Sequence, residues 1–172
     1  MSLLVELLPT AGKALVVGGG SVAERKVRGL VDAGFAVTVV APGISAGIRK
    51  LSGVELRVRP FAESDVPGHA LVFACTSERE VNRQVGEAAR SHLIPVVVAD
   101  RQDESTFFTP AVHRDGDLTV AVATNGASPV LAQEVRNRVA VCLGTGWAAR
   151  VRAAKKQRLA RLAAGRAETP DE

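Results

Sequence analysis

The chain is poor in the residues that mark several specialised protein classes. Its 172 residues include no tyrosine, one tryptophan, three histidines and two cysteines. Cys75 and Cys142 are separated by 66 residues without a Cys-x-x-Cys spacing, and the histidines are scattered. We therefore expect two buried thiols, no disulfide framework and no resident metal site.

Long apolar runs are also missing. No stretch approaches the roughly 20 apolar residues that a membrane-spanning helix needs. Residues 1–10 contain Glu6 and lack the basic start and the small-residue cleavage site of a secretory signal. We therefore expect a cytoplasmic protein without a membrane partner. Its apolar fraction of 47% is enough for one ordinary core and a small appendage.

Positive charge is confined to one end of the chain. The formal net charge is +4, and residues 146–172 hold seven basic side chains against three acidic ones. The remaining residues are neutral, with 15 side chains of each sign. Since the basic segment lacks interleaved aromatic residues and a recognition motif, it is typical of a solvated helix face. We therefore expect no nucleic-acid partner.

The most informative segment is an apolar strand that leads into a glycine turn and a helix start. Residues 13–26 read KALVVGGGSVAERK. Gly18 permits the tight turn, Gly20 has no Cβ to obstruct a diphosphate, and Ala23 lets the helix pack closely on the strand. The helix start offers unpaired backbone N–H groups and the positive end of the helix dipole. This pattern predicts a bound dinucleotide.

Strand and helix patterns alternate over the first 105 or so residues. Strands are predicted at 15–17, 36–40, 54–58, 70–75 and 95–99, and helices at 21–33, 43–51 and 78–91. This alternation predicts an α/β fold with a Rossmann-like, doubly wound parallel sheet.

The second strand ends in Ala41 and Pro42 rather than in the acidic residue that usually binds the adenosine ribose. Backbone groups near Pro42 and Gly43 could hold the ribose instead. No arginine adjoins the strand end to bind a 2′-phosphate, although Arg49 follows one helix later. We therefore prefer NAD to NADP as the cofactor.

The pattern changes after residue 105. Apolar segments at 107–112 and 118–123 flank a turn at 113–117, and the Asp-Gly pair in this turn indicates a hairpin. Ser128 and Pro129 suit the N-cap and the first position of a helix that runs to about residue 143.

The final segment, 147–164, is helical by composition, and residues 169–172 are expected to fray.

These patterns divide the chain into three parts. Residues 1–110 are predicted to form a dinucleotide-binding domain, 111–145 a small α+β dimerisation segment, and 146–172 a basic C-terminal helix or tail. Because a hairpin alone has few ways to bury its apolar face, we expect it to pair with a second copy in a homodimer. The alternative is an intramolecular hairpin that lies on the sheet.

Four motifs, in order and spacing, resemble the precorrin-2 dehydrogenase and sirohydrochlorin ferrochelatase family, which includes the dehydrogenase and chelatase part of siroheme synthase. The resemblance covers roughly residues 3–143. The motifs are GGGSVAERK at 18–26, ACT at 74–76, Asp100 followed by TFFTPA at 106–111, and GDLTVAV at 116–122 with NGASPVLA at 125–132.

The resemblance implies NAD-dependent oxidation of precorrin-2 to sirohydrochlorin, on the route to siroheme or related tetrapyrroles. It implies that the loop at Ser21 and Val22 and the segment at Pro42 and Gly43 hold the cofactor. It also implies a catalytic role for Asp100.

The remaining implied site residue is Ser128, which the resemblance places near the tetrapyrrole. An N-cap role explains this serine equally well.

The chain departs from the family pattern in three ways. Val97 stands where many members have asparagine, three residues before the aspartate. Most of the following helical segment is missing, so iron insertion is less expected than dehydrogenation. There is also no methyltransferase segment, so we expect another protein to supply precorrin-2.

Asp100 follows a buried strand pattern, so its carboxylate should emerge at the carboxyl edge of the sheet, where open α/β folds bind ligands. There it could accept the proton released as hydride leaves. The alternative is a loop acid that balances Arg101. Thr76 could contact the nicotinamide side of the cofactor or serve the turn after the fourth strand.

Arginine side chains could bind the carboxylates of the tetrapyrrole, because a guanidinium pairs with a carboxylate through two parallel hydrogen bonds. The candidates are Arg114, Arg136 and Arg138, with simple solvation as the alternative for each.

Two other functions remain open. One is a bifunctional dehydrogenase and ferrochelatase, and the other is a non-enzymatic domain that senses a dinucleotide.

Overall fold

The computed structural model describes residues 2–167, so the fraying predicted for 169–172 lies outside the described residues. The chain divides into two compact units, Met1–Phe108 and Thr109–Glu172.

The first unit is built on a five-stranded parallel sheet with the strand order β3-β2-β1-β4-β5. Its strands are β1 (Lys13–Val17), β2 (Val37–Val40), β3 (Val54–Arg57), β4 (His69–Ala74) and β5 (Val96–Val98). Its helices are α1 (Ser21–Asp32), α2 (Ala46–Arg49) and α3 (Arg79–Ser91). The Rossmann-like, doubly wound fold predicted from the alternating pattern is confirmed.

Alternate residues of β1, β4 and β5 belong to two separate cores, one on each face of the sheet. On one face, Ala14 and Val16 of β1 pack in the same cluster as Val27 of α1. On the other, Leu15 of β1 packs in the same cluster as Val85 of α3. Because a strand directs successive side chains to opposite faces, a strand covered on both sides must be apolar throughout.

The turn after α1 has the geometry predicted from its glycine. Gly34 has a φ of +85°. Its N–H donates to the Val31 carbonyl at 2.9 Å, and the Phe35 N–H donates to the Leu30 carbonyl at 3.0 Å. This pair of bonds is the Schellman motif, which ends a helix at a glycine with positive φ. In contrast, α2 is much shorter than the predicted helix at 43–51, because residues 42–44 form a loop that contacts the glycine turn.

The second unit consists of an antiparallel hairpin and two helices. They are β6 (Ala111–Asp115), β7 (Leu118–Val122), α4 (Pro129–Leu143) and α5 (Trp147–Ala167). Contrary to the predicted turn at 113–117, β6 and β7 pair as far as Asp115 and Leu118. Gly116, with a φ of +58°, permits a tight two-residue turn. His113 therefore lies within β6, opposite Val120.

The prediction of two buried thiols is confirmed for Cys75 and wrong for Cys142. Cys75 is buried at the end of β4, whereas Cys142 is exposed on α4. Only Ala132 of α4 is buried, because the helix packs one face on the hairpin and leaves much of its remaining apolar surface exposed.

Within residues 2–167, no helix combines the length and the apolar character needed to cross a membrane.

Candidate functional site

A cleft of about 720 Å³ lies at the carboxyl edge of the sheet in the first unit. It is lined by the glycine turn after β1, by the loop after β2, and by the loop after β4 together with the start of α3. All seven residues predicted from the sequence to bind the cofactor line this cleft: Gly18, Gly20, Ser21, Val22, Pro42, Gly43 and Thr76.

The glycine turn leaves a helix N-terminus open toward the cleft. Gly20 is the N-cap residue of α1 and supplies no side-chain hydrogen bond. The first intrahelical bond runs from the Glu24 N–H to the Gly20 carbonyl, so the preceding amides, including those of Ser21 and Val22, have no partner within the helix. A Cβ added to Gly20 would meet no protein atom within 4 Å. These features fit the diphosphate of a dinucleotide.

Gly18 has a different role from Gly20. Its φ is +128°, and a Cβ at this position would lie 2.4 Å from the Cys75 carbonyl oxygen. Gly18 therefore lets the turn pass close to the end of β4, where the chain continues into Thr76. The N–H of Cys75 also donates to the Val17 carbonyl at 2.8 Å, which ties the two strand ends together.

Gly19 and Ser45, which were not predicted as site residues, join the two predicted cofactor loops. A Cβ at Gly19 would lie 1.9 Å from the Gly43 carbonyl oxygen. The Ser45 N–H donates to the Gly19 carbonyl at 2.9 Å, and the Ser45 hydroxyl donates to Glu24 Oε2 at 2.8 Å. Hydrogen bonds from Arg28 and then from Ser45 lower the pKa of the Glu24 carboxyl. The available signal for this close approach was the glycine at the middle position of the Gly18-Gly19-Gly20 run.

The lining of the cleft contains an acidic side chain, that of Glu78, but no lysine or arginine among the residues that the structure describes. Arg49, which the sequence offered as a distant basic residue, donates its Nε–H to the Ile44 carbonyl at 3.1 Å. The described lining therefore offers no cation for a 2′-phosphate.

A hydrogen-bonded chain runs from Thr76, in the cleft lining, to Asp100. The side chain of Asn82 is hydrogen-bonded to the backbone and hydroxyl of Thr76 and donates to Asp100 Oδ1 at 2.9 Å. Asp100 follows β5 and does not itself line the cleft. Its side chain is 37% exposed. The sequence predicted the edge position of Asp100 but not its connection through Asn82.

Arg79, at the first position of α3, approaches Asp100 from the other side. Its Nη1 lies 3.8 Å from Asp100 Oδ2, and its Nη2 is hydrogen-bonded to Glu104. Arg79 Nη1 and Glu104 Oε2 are buried and form no hydrogen bond. The alternative expected from the sequence, in which Arg101 balances Asp100, is replaced by an ion pair with Arg79.

Cys75 lines the cleft but is not poised for thiolate chemistry. Burial raises the pKa of its thiol to about 11, and the nearby positive charges of Lys26 and Arg25 only partly oppose this effect. The thiol therefore stays protonated near neutral pH, and the chemistry falls to other groups.

The residues predicted to bind the substrate lie in the second unit. Ser128 accepts a hydrogen bond from the Leu131 N–H at 3.1 Å, so the predicted N-cap of α4 is present. Arg114 is exposed on β6. Arg136 is half-buried, and its Nε has no hydrogen-bond partner. Arg138 forms an ion pair with Glu134 at 2.6 Å.

No group of three or more histidine, cysteine, aspartate or glutamate side chains with the placement of a metal site occurs in the described part of the chain.

Comparisons with known proteins identify the family. An NAD(P)-binding family model matches residues 7–111, and the model for the central part of sirohaem biosynthesis proteins matches residues 115–141. A siroheme synthase of Methylococcus capsulatus is 43% identical over 150 residues, which cover 84% of this chain and 32% of that protein. One from Pseudomonas entomophila is 41% identical over 131 residues, covering 74% of this chain and 28% of that protein.

The chain thus spans about a third of the length of these curated relatives. A solved structure titled SirC, precorrin-2 dehydrogenase, superposes with a TM-score of 0.76 at 25% identity and covers 92% of this chain and 79% of that one. The chain belongs to the NAD(P)-binding family of siroheme biosynthesis proteins, as its motifs predicted.

Proposed function

We propose that this protein is an NAD-dependent dehydrogenase that oxidises precorrin-2 to sirohydrochlorin in siroheme biosynthesis. The proposal is carried by the cleft at the start of α1. There, Gly20 leaves room for a diphosphate, and the first backbone amides of α1 have no hydrogen-bond partner within the helix. The relatives titled siroheme synthase and the structural neighbour titled precorrin-2 dehydrogenase support the choice of substrate.

The cofactor site follows from the cleft lining. The amides of Ser21 and Val22 would bind the diphosphate, the backbone at Pro42 and Gly43 the adenosine ribose, and Thr76 the nicotinamide side. When bound, NAD supplies a hydride acceptor. Glu78 and the lack of a lysine or arginine in the described part of the lining favour NAD over NADP, because a 2′-phosphate is normally matched by a cation.

Asp100 would act as the general base. Oxidation of precorrin-2 removes a hydride and a proton, and the proton needs an acceptor at the edge of the sheet. Asp100 Oδ1 is held by Asn82, and the side chain is sufficiently exposed to accept a further hydrogen. This assignment predicts that Asp100→Ala lowers turnover strongly while the protein still binds NAD.

The second unit would bind the substrate and a second copy of the chain. Ser128, Arg114 and Arg136 are candidates for the substrate carboxylates, and the unpartnered Nε of Arg136 supports its assignment. Val130 and Val141 are 77% and 83% exposed on α4. A two-stranded hairpin is marginally stable alone, so a homodimer would bury this apolar surface. We place this dimer in the cytoplasm, without membrane or nucleic-acid partners.

One anaerobic incubation tests the proposal. The purified protein is mixed with precorrin-2 and NAD, and the formation of NADH and sirohydrochlorin is followed by absorbance. NADH formation that requires precorrin-2 supports the dehydrogenase. NAD binding without turnover would instead identify a dinucleotide sensor, and metal insertion on addition of Fe²⁺ would identify the bifunctional enzyme. A solution mass of one chain, 18.0 kDa, rather than of two chains in light scattering would contradict the dimer.

A further inference from the structure

Asn82 joins the cofactor cleft to Asp100 through hydrogen bonds at both the oxygen and the nitrogen of its side-chain amide. It lies in the first turn of α3 and is 1% exposed. Its Nδ2 donates to the Thr76 carbonyl at 3.1 Å and to Asp100 Oδ1 at 2.9 Å. Its Oδ1 accepts from the Thr76 N–H at 3.0 Å and lies 2.9 Å from the Thr76 hydroxyl, whose single hydrogen it shares with the Glu78 carbonyl oxygen at 3.0 Å.

The partners determine the orientation of this amide. The Thr76 N–H can only donate, so it requires an oxygen, whereas an ionised Asp100 can only accept, so it requires an N–H. A side chain of this size that bonds to both the Thr76 N–H and the Asp100 carboxylate must carry an acceptor and a donor. Aspartate lacks the donor and would place a second carboxylate beside Asp100, while alanine lacks both groups.

A purely structural role for Asn82 would not require the bond to Asp100. The three bonds to Thr76 already stabilise the turn after β4. The fourth bond reaches a carboxylate that is 37% exposed and could be solvated by water. Arg79, three residues earlier on α3, lies 3.8 Å from the other carboxylate oxygen. The first turn of α3 therefore contacts both oxygens of Asp100.

We propose that Asn82 is a positioning residue that holds the Asp100 carboxylate and the Thr76 turn in one fixed arrangement. This inference rests on the proposed dehydrogenase function. It means that the base and the nicotinamide side of the cleft are coupled through one buried amide. A displaced base loses rate steeply, since a misplacement of about 1 Å can cost ~100-fold in turnover.

Two variants separate the two ends of this amide. Asn82→Asp keeps the oxygen that accepts from Thr76 but loses the donor to Asp100. We expect it to bind NAD within about threefold of the wild-type affinity and to lose about 100-fold in kcat. Asn82→Ala loses both ends, so its affinity for NAD should fall as well as its kcat. Affinity is measured by calorimetry with NAD alone, and kcat by NADH formation from precorrin-2.

Thr38→Val is the matched control. Thr38 is also 1% exposed and hydrogen-bonded through its side chain, but it does not line the cleft. We expect this variant to lose stability in thermal unfolding and to keep its kcat. Near-wild-type kcat in Asn82→Asp, or equal losses of NAD affinity and kcat in both Asn82 variants, would overturn the proposal.

A double-mutant cycle provides the second test. If Asn82 acts through Asp100, then Asn82→Ala should change kcat less than about twofold in an Asp100→Ala background, because coupled residues are not additive. A full further loss in that background would overturn the positioning role. Full activity of Asp100→Ala alone would instead refute the proposed base, so the two failures are distinguishable.

Discussion

Gly20→Ala is the most direct test of the cofactor cleft. Gly20 has φ −87° and ψ −168°, an extended conformation that alanine adopts without strain. Because the new methyl group would meet no protein atom within 4 Å, we expect the free energy of unfolding to change by no more than about 0.5 kcal/mol. The same methyl group would occupy the space assigned to the diphosphate.

The loss of NAD affinity should therefore occur without a loss of stability. We expect Kd for NAD to rise at least ~10-fold, which corresponds to about 1.4 kcal/mol. Calorimetry gives Kd, and urea unfolding gives the stability of the same samples. Gly19→Ala is the control, because its methyl group would lie 1.9 Å from the Gly43 carbonyl oxygen and should destabilise the fold. Unchanged NAD affinity in folded Gly20→Ala would refute the assignment of this cleft.

The remaining predictions concern acid stability, loop attachment and cofactor choice. Hydrogen bonds from Arg59, the Ala62 N–H and Arg57 outweigh the effect of burial and lower the pKa of Asp65 from 3.8 to about 2. This carboxylate therefore contributes about 2 kcal/mol of stability above pH 4 that is lost as the pH falls toward 2. In urea unfolding, the free energy of unfolding of Asp65→Asn should depend less on pH in that window than that of the wild type. An unchanged pH dependence would contradict the reasoning. Ser45→Ala removes the N-cap of α2 and should lower stability in thermal unfolding by ~1 kcal/mol. It should also weaken NAD binding several-fold, and unaltered NAD binding would mean that the loop after β2 does not hold the cofactor. NADP should bind more weakly than NAD in calorimetry, and equal affinities would exclude the proposed preference.

Local patterns were sufficient to predict most elements of the first unit. The apolar runs of β1, β4 and β5 predicted buried strands, because a strand covered on both faces has no polar side to show. Gly34 marked the end of α1, because its positive φ is a local backbone requirement. The glycine turn likewise predicted the dinucleotide cleft, since its strand, turn and helix are contiguous in the sequence.

Other features depend on residues that meet only after folding. Gly19 must be small because the loop after β2 passes over it, and nothing near Gly19 in the sequence reveals that loop. Cys142 has the neighbours of a buried residue, but its exposure depends on which face of α4 packs against the hairpin.

The sequence by itself determined the succession of strands and helices along the chain, the glycine turn and the family to which the chain belongs. These features depend on short-range periodicity and on contiguous motifs. Only the tertiary structure decided which side chains meet at the candidate site. Asn82 and Asp100 are 18 residues apart, and they meet because parallel strands direct the ends of β4 and β5 to one edge of the sheet. Hydrogen bonding across that edge depends on positions in space, which no local pattern encodes.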